Sequence, residues 1–102
     1  MKHDLLRIGQ EAIHNAVRHA NPTLVAVSLE WHAPNLTLQI KDNGSGISRV
    51  RLEKSEGLGL NNMRQRALEI GGRFEIQTAP DRGTTVIVIV PVGTNSLLSS
   101  DW

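Results

Sequence analysis

The sequence predicts an α+β fold, a two-layer α/β sandwich in which helices cover one face of a sheet. Three observations lead to this prediction. Two stretches repeat apolar residues at helical spacing, four stretches are rich in the alternating or β-branched residues of strands, and turn residues separate them. The resulting order of helix, hairpin, loop, helix and hairpin favours a mixed, mostly antiparallel sheet.

The first half of the chain is predicted to hold one helix and one hairpin. Apolar residues recur at helical spacing from Asp4 to Ala20, and the helix ends at HANP because the residue before a proline disfavours helical backbone. Residues 23–31 are expected to form a strand. After the turn HAPN, residues 36–41 alternate apolar and polar side chains, as a half-buried strand does.

The second half is predicted to begin with a long loop. Residues 42–59 are polar, contain several glycines and show no clear period, and loops of such length are usually functional. Helical spacing returns in residues 60–72, where two glycines mark the end. Residues 73–78 and 84–91 form the second predicted hairpin around the turn APDRG, and we expect a loosely ordered tail over 91–102.

Composition limits the classes of function. A chain of 102 residues is expected to form a single domain, 1–102, around one core. The net charge is +1, so no overall field attracts nucleic acid or an anionic membrane, and any anion must be bound locally. There is no cysteine, which fits a reducing compartment, and no apolar stretch long enough to span a membrane. We therefore expect a cytoplasmic domain without nucleic acid and without direct membrane contact.

The stretch QEAIHNAVRHA carries the first candidate site. On a helical wheel Glu11, Asn15 and Arg18 fall within an arc of about 60° beside the apolar stripe, while Gln10 and His14 are expected to point the opposite way, into solvent. One alternative is a surface network of side chains worth a few tenths of a kcal/mol. The other is a polar edge that faces a ligand.

The stretch DNGSG, residues 42–46, follows a predicted strand and is the second candidate. It fits a type I′ hairpin turn, for which NG is a strong signal. It also fits a ligand site, because a carboxylate at a strand end is well placed to accept a hydrogen bond from an amino group. Asp42 would then favour adenine, which presents an amino group where guanine presents a carbonyl oxygen.

The stretch EGLGLNNM, residues 56–63, runs from glycines into a helix. Glycine lets the backbone approach a ligand closely, and the free N–H groups at a helix N-terminus attract phosphate. A flexible linker before a helix is the alternative. The stretch lacks the third glycine and the preceding strand of a dinucleotide-binding fingerprint, and the chain has no Walker A loop.

The order of these stretches resembles a known family. QEAIHNAVRHA, DNGSGI, GLGLNNMRQRA and GTTVIVIVP look like the N, G1 and G2 boxes and the closing strand of the GHKL ATP-binding (Bergerat) fold, which gyrase, the ninety-kilodalton heat-shock chaperone, histidine kinases and MutL share. NAVRHA and GLGLNNMRQRA most resemble the catalytic domain of sensor histidine kinases of the short-lid class that includes nitrate sensors. The resemblance extends from about Leu5 to Pro91.

The resemblance implies that the domain binds ATP and Mg²⁺. Asn15 matches the asparagine whose side-chain oxygen ligates Mg²⁺, and Arg18 and His19 match phosphate contacts. Asp42 matches the carboxylate that binds the adenine amino group, with help from Thr84 or Thr85 through ordered water. The other ATP-binding residues implied by the match lie in the two glycine-containing loops, at Gly44, Gly46, Ile47, Gly57, Leu58, Gly59 and Leu60.

The resemblance also implies a reaction and partners. Relatives that hydrolyse ATP use the glutamate matching Glu11 to activate water, which makes Glu11 the candidate catalytic residue, whereas a kinase delivers the γ-phosphoryl group to a histidine on a separate dimerisation domain. That domain and a response regulator are the expected partners. His3 and His14 are not expected to be the acceptor, so this chain alone is expected not to autophosphorylate.

The chain also departs from the family pattern. It begins almost within the N-box helix, so we expect a fragment of a longer sensor kinase with an uncovered sheet edge through which isolated domains could pair. The lid, residues 47–56, has no phenylalanine, which fits the short-lid class. Two alternatives remain at this point, an anti-sigma-factor kinase that phosphorylates serine and a non-catalytic module that only binds nucleotide.

Overall fold

The elements of the fold follow the predicted order. A computed structural model describes residues 2–54 and 58–92. Within these ranges the elements are α1 (Lys2–Asn15), β1 (Val25–His32), β2 (Asn35–Asp42), α2 (Arg49–Lys54), α3 (Leu60–Glu69), β3 (Arg73–Thr78) and β4 (Thr84–Pro91), and a π-helical turn (Ala16–Ala20) continues α1. None of the described helices is both long and apolar enough to cross a membrane.

The described strands form one sheet in the order β1-β2-β4-β3. The two predicted hairpins are confirmed, and they join through β2 and β4, which also run antiparallel. The sheet is therefore antiparallel throughout the described strands rather than mixed. The α+β class is confirmed. The central register sets Ile40 opposite Val86 and Asp42 opposite Thr84.

The core lies between the sheet and the two longer helices. Alternate residues of β2 and β4 point to the helices and are buried, which follows from the two-residue period of a strand. The helices contribute apolar residues at three- and four-residue spacing, and an ion pair between Asp4 and Arg66, 3.7 Å long, joins α1 to α3. The buried core residues include Leu5, Ile8, Ala12, Leu38, Ile40, Met63, Ala67, Val86 and Val88.

Strand β1 is an edge of the described sheet and is poorly covered. Val27 and Leu29 face the same side as their buried partners Ile40 and Leu38, yet each is more than half exposed. The helices therefore cover β2 and β4 more completely than β1.

The prediction of a long loop over residues 42–59 was wrong in part, because residues 49–54 form the short helix α2. Ser48 begins it as an N-cap: its Oγ accepts a hydrogen bond from the backbone N–H of Arg51 at 3.2 Å. An exposed ion pair between Arg49 and Glu53 lies along the helix. The helix is short and none of its residues is fully buried, so its period is not visible in the sequence.

The chain after β4 was also predicted incompletely. Pro91 belongs to β4, and Val92 is buried in the core with its N–H donating to the carbonyl of Pro34 at 2.7 Å. The rest of the expected tail, residues 93–102, lies outside the described residues, as do residue 1 and residues 55–57.

Candidate nucleotide-binding site

A hollow opens between the C-terminal part of α1 and the ends of β2 and β4, and the space in and above it, including the part open to solvent, is about 430 Å³. Its floor is apolar and is formed by residues of the sheet and by alanines of α1. The predicted site residues that line it are Asn15, His19, Asp42, Gly46, Ile47, Leu58, Leu60 and Thr84.

Asp42 and Thr84 provide polar groups at one end of the hollow. They are paired across β2 and β4, and the exposed fractions are only 7% for Asp42 and 8% for Thr84. Oδ1 of Asp42 accepts a hydrogen bond from the N–H of Gly44 at 2.8 Å, which leaves Oδ2 to accept one from a ligand. The hydroxyls of Thr84 and Thr78 lie 2.8 Å apart. A buried carboxylate in an apolar wall is suited to a ligand that donates a hydrogen bond.

The loop after Asp42 is held on two sides. On the side of α1, the N–H of Ser45 donates to the carbonyl of Ala20 at 2.9 Å, and Gly44 packs so closely against Ala20 that a Cβ would lie 2.5 Å from its methyl carbon. On the side of β3, the N–H of Ile47 donates to the hydroxyl of Thr78 at 2.8 Å. The loop is thus part of the rigid frame of the hollow.

Asn15 lines the part of the hollow where α1 passes into the π-helical turn. Its side-chain Nδ2 donates to the carbonyl of Leu58, and its Oδ1 is buried without a hydrogen-bond partner among the described residues. A buried oxygen without a partner is unfavourable unless a ligand completes it. An amide oxygen is a ligand that Mg²⁺ accepts, so Asn15 fits the expected metal.

Two basic residues follow on the π-helical turn. His19 lines the hollow, and its Nδ1 lies 3.4 Å from Nη2 of Arg51 in α2. Arg18 is exposed and does not line the hollow; its Nη1 lies 3.4 Å from Nε2 of His14. Among the described residues no group of three or more His, Cys, Asp or Glu side chains is placed to hold a metal.

Glu11 lies outside the hollow, in a polar groove between α1 and α3. Its carboxylate is next to Gly59, at the start of α3. Gln10 and His14 are exposed to solvent as predicted, but they do not point opposite to Glu11, because all three line this groove. The groove is completed by Arg7, Asn62, Met63 and Arg66.

The remaining predicted residues do not line the hollow or lie outside the described residues. Thr85 is the register partner of Lys41 and lies on the sheet face opposite to Thr84, so of the two threonines only Thr84 reaches the hollow. Gly44 and Gly59 border the site without lining the hollow. Gly57 lies outside the described residues.

The sequence prediction missed Thr78, although the hairpin register pairs it with Thr84. Its hydroxyl contacts both Thr84 and the backbone of the loop. The signal was available, because two threonines at matching ends of a predicted hairpin are expected to face each other.

The family is decided by a match over almost the whole chain. The family model described as "Histidine kinase-, DNA gyrase B-, and HSP90-like ATPase" matches residues 2–94. The chain belongs to this family. The resemblance drawn from the sequence motifs is thereby confirmed.

Two bacterial sensor proteins are similar to this chain over most of its length. "Sensor protein VraS" of Staphylococcus epidermidis is 45% identical over 97 residues, which cover 95% of this chain and 28% of that protein. The VraS protein of Staphylococcus aureus is 48% identical over 88 residues, which cover 86% of this chain and 25% of that protein. The chain thus spans about a quarter of the length of these relatives.

Solved structures have the same fold. The ATP binding domain of PrrB from Mycobacterium tuberculosis superposes with a TM-score of 0.77 at 28% identity, over 92% of this chain and 71% of that one. The histidine kinase domain of a blue-light activated histidine kinase from Erythrobacter litoralis gives a TM-score of 0.73 at 24% identity, over 92% of this chain and 46% of that one, and shows the fold alone. The chain therefore has the fold of the ATP binding domain of PrrB.

Proposed function

We propose that this chain is the catalytic domain of a two-component sensor kinase, and that it binds Mg-ATP and passes the γ-phosphoryl group to a histidine on a separate dimerisation domain. A response regulator would receive the group next. The hollow supports this proposal most directly, because it has the buried carboxylate of Asp42 at one end and the buried amide oxygen of Asn15 at the other.

Adenine recognition is assigned to Asp42. Oδ2 of Asp42 would accept a hydrogen bond from the N6 amino group, and the Thr84 hydroxyl would help through an ordered water. The carbonyl oxygen of guanine or hypoxanthine would instead face a carboxylate, which cannot donate to it. The apolar walls, including Ile40, Ile76 and Val86, are suited to contact the flat faces of the base.

The phosphates would extend toward the end of α1. Oδ1 of Asn15 would hold Mg²⁺, which when bound neutralises charge on the phosphate oxygens. His19 and Arg51 lie close enough to this end to contact phosphate, and Arg18 would reach it only by leaving His14. These residues position the triphosphate and stabilise its charge.

The transfer step is an in-line displacement. The unprotonated imidazole nitrogen of the acceptor forms a bond to the γ-phosphorus as the bond from that phosphorus to the β,γ-bridging oxygen breaks, and ADP leaves with that oxygen. Glu11 is our candidate catalytic residue for this step, since it lines a groove open to an approaching domain and could accept a hydrogen bond from the other imidazole nitrogen.

Calorimetric titration of the chain with ADP, ATP and GDP, with and without Mg²⁺, tests the nucleotide part. We expect the adenine nucleotides to bind, Mg²⁺ to tighten binding, and GDP to bind at least about 30-fold more weakly, the equivalent of about 2 kcal/mol. Equal affinity for ADP and GDP would contradict the assignment of Asp42.

Incubation with radiolabelled ATP tests the transfer. We expect no labelling of the chain alone and labelling of histidine when the dimerisation domain of the parent protein is added. Labelling of serine on a partner protein would indicate the anti-sigma-factor class, and binding without transfer in the full-length parent would indicate a non-catalytic module. Because ATP is the substrate, we place the domain in the cytoplasm, and fractionation of the parent protein tests this.

A further inference from the structure

The side-chain amide of Asn43 joins two segments that are far apart in sequence. Its Oδ1 accepts hydrogen bonds from the backbone N–H groups of Thr23 and Leu24, both at 3.0 Å. Its Nδ2 donates to the hydroxyl of Thr23 at 2.8 Å. One exposed side chain thus makes three hydrogen bonds to the segment that leads into β1.

This contact is next to the carboxylate of the site. Asp42 precedes Asn43, and its backbone is already fixed opposite Val25 at the end of the sheet. The N–H of Asn43 donates to the carbonyl of Leu24 at 3.3 Å, so main chain and side chain of the same residue hold the same segment. The next N–H, from Gly44, orients the Asp42 carboxylate.

The segment held by Asn43 also follows the helix that carries Asn15. The helix passes through the π-helical turn to Ala20, whose carbonyl accepts a hydrogen bond from Ser45. The loop is therefore hydrogen-bonded to residues 20–24 on both sides of Gly44, the residue whose N–H orients the Asp42 carboxylate. The two ends of the hollow are connected here by hydrogen bonds as well as by the core.

We propose that Asn43 is a positioning residue of the nucleotide site, an inference that rests on the proposed function. Its amide fixes the loop so that Oδ2 of Asp42 points into the hollow at the height of the base. A side chain without an amide or carboxylate would leave the backbone N–H groups of Thr23 and Leu24 to water. The loop would then sample orientations in which the carboxylate does not meet the N6 amino group.

The test compares variants that remove or retain the three hydrogen bonds. Asn43→Ala removes all three. Asn43→Asp retains an acceptor for both N–H groups, and the Thr23 hydroxyl can donate to it. Thr23→Val removes only the bond to that hydroxyl, and Thr23→Ser retains it. Calorimetry with ADP and IDP, at a temperature where circular dichroism shows each variant folded, measures both affinity and base selectivity.

We expect Asn43→Ala to weaken ADP binding by about five- to tenfold and to lower the ratio of ADP to IDP affinity, because a lost set of hydrogen bonds disturbs the carboxylate. Asn43→Asp should restore both to within about twofold. ADP and IDP carry the same charge, so their ratio is unaffected by the charge that this substitution adds. If Asn43→Ala does not fold, Thr23→Val against Thr23→Ser gives the same comparison with a loss of about two- to threefold.

A purely structural role predicts a different result. Asn43→Ala would then lower the melting temperature while the ADP affinity and the ADP to IDP ratio of the folded chain stay at wild-type values, and this outcome overturns the inference while the proposed function stands. Failure of the wild-type chain to bind ADP would overturn the proposed function and the inference together.

Discussion

The two ends of the hollow are held in different ways. We call the end with Asp42 and Thr84, where adenine is proposed to bind, the adenine end. There Asp42 and Thr84 are paired in adjacent strands, and the loop after Asp42 is hydrogen-bonded to neighbours on both sides. We call the part with Asn15 and His19, where the phosphates are proposed to bind, the phosphate end. There Asn15 lies directly before the π-helical turn, and its side-chain amide donates a hydrogen bond to the carbonyl of Leu58. The first end is formed before any ligand arrives, whereas the second contains a buried oxygen that a ligand would complete.

Under the proposed function, this contrast assigns base recognition to the end of the sheet and phosphate binding to the end of the helix. A base is recognised by shape and by one hydrogen-bonding edge, which a rigid sheet end provides. Phosphates and a metal ion need side chains that change partners when the ligand binds, and Asn15 and His19 now contact protein groups that a ligand would replace or join. Substitutions at matched positions of the two ends should therefore differ in how much they lower the free energy of unfolding or the affinity for nucleotide.

The largest effect is expected from Gly46→Ala at the adenine end. Gly46 has φ +74°, and a Cβ there would overlap the carbonyl oxygen of Ala79 and lie 2.8 Å from its carbonyl carbon, so backbone would have to move. We expect the free energy of unfolding to fall by about 3 kcal/mol or more, measured by urea denaturation.

Gly71→Ala is the matched control for this prediction. Gly71 has nearly the same φ, +75°, but a Cβ there meets no atom within 4 Å. Gly71→Ala should lower the free energy of unfolding by the conformational strain alone, about 1 kcal/mol. Equal destabilisation by the two variants would mean that the close packing around Gly46 does not matter.

Asp42→Asn should have the next largest effect. The amide keeps an acceptor for the N–H of Gly44 but loses the charge that favours the N6 amino group, so ADP affinity should fall about 30-fold, or about 2 kcal/mol. Calorimetric titration of the variant with ADP measures this loss of affinity. Asp81→Asn makes the same change in the exposed β3–β4 turn and should leave affinity unchanged; an equal loss there would indicate a general effect of net charge.

The adenine end was predictable from the strand period and the family resemblance together. Asp42 directly follows the alternating strand predicted over residues 36–41, whereas Thr84 or Thr85 was implied by the family resemblance. What the sequence could not provide was the pairing of β2 with β4, which brings the two hairpins together and decides between Thr84 and Thr85. That pairing depends on tertiary packing rather than on any local signal.

The phosphate end was predictable only in part. The helical wheel placed Glu11 and Asn15 on one polar edge, but they line different cavities, Glu11 the polar groove and Asn15 the hollow. The wheel considers one helix without its neighbour, so it did not show that His14, although exposed as predicted, lines the same groove as Glu11. The π-helical turn that carries His19 changes the helical period locally and leaves no mark in residue spacing.

Asn15→Ala tests the phosphate end through its metal dependence. Loss of the amide oxygen should weaken ADP binding about tenfold, or 1.4 kcal/mol, when Mg²⁺ is present, and less than about twofold in a chelator. Titrations in the two buffers separate the metal contribution from the lost contact to Leu58. Asn61→Ala, at an exposed position of α3 that lines neither the hollow nor the groove, is the control and should be neutral in both buffers. A loss of the same size with and without Mg²⁺ would remove Asn15 as a metal ligand.

The smallest effect is expected from Gly59→Ala at the phosphate end. Gly59 also has a positive φ, +65°, but the atoms that a Cβ would meet belong to the Glu11 side chain, with Oε1 nearest at 2.5 Å. A flexible carboxylate can rotate away, so the free energy of unfolding should fall by only about 1 kcal/mol, which is the strain of the backbone conformation.

A double-mutant cycle with Glu11→Ala separates the two contributions to the Gly59→Ala effect. If the carboxylate yields, Gly59→Ala should cost nearly the same free energy of unfolding with and without Glu11, within about 0.5 kcal/mol. A cost as large as that of Gly46→Ala, relieved when Glu11 is removed, would show instead that Glu11 is held rigidly against the start of α3. The phosphate end would then be as fixed as the adenine end, and the contrast between them would fail.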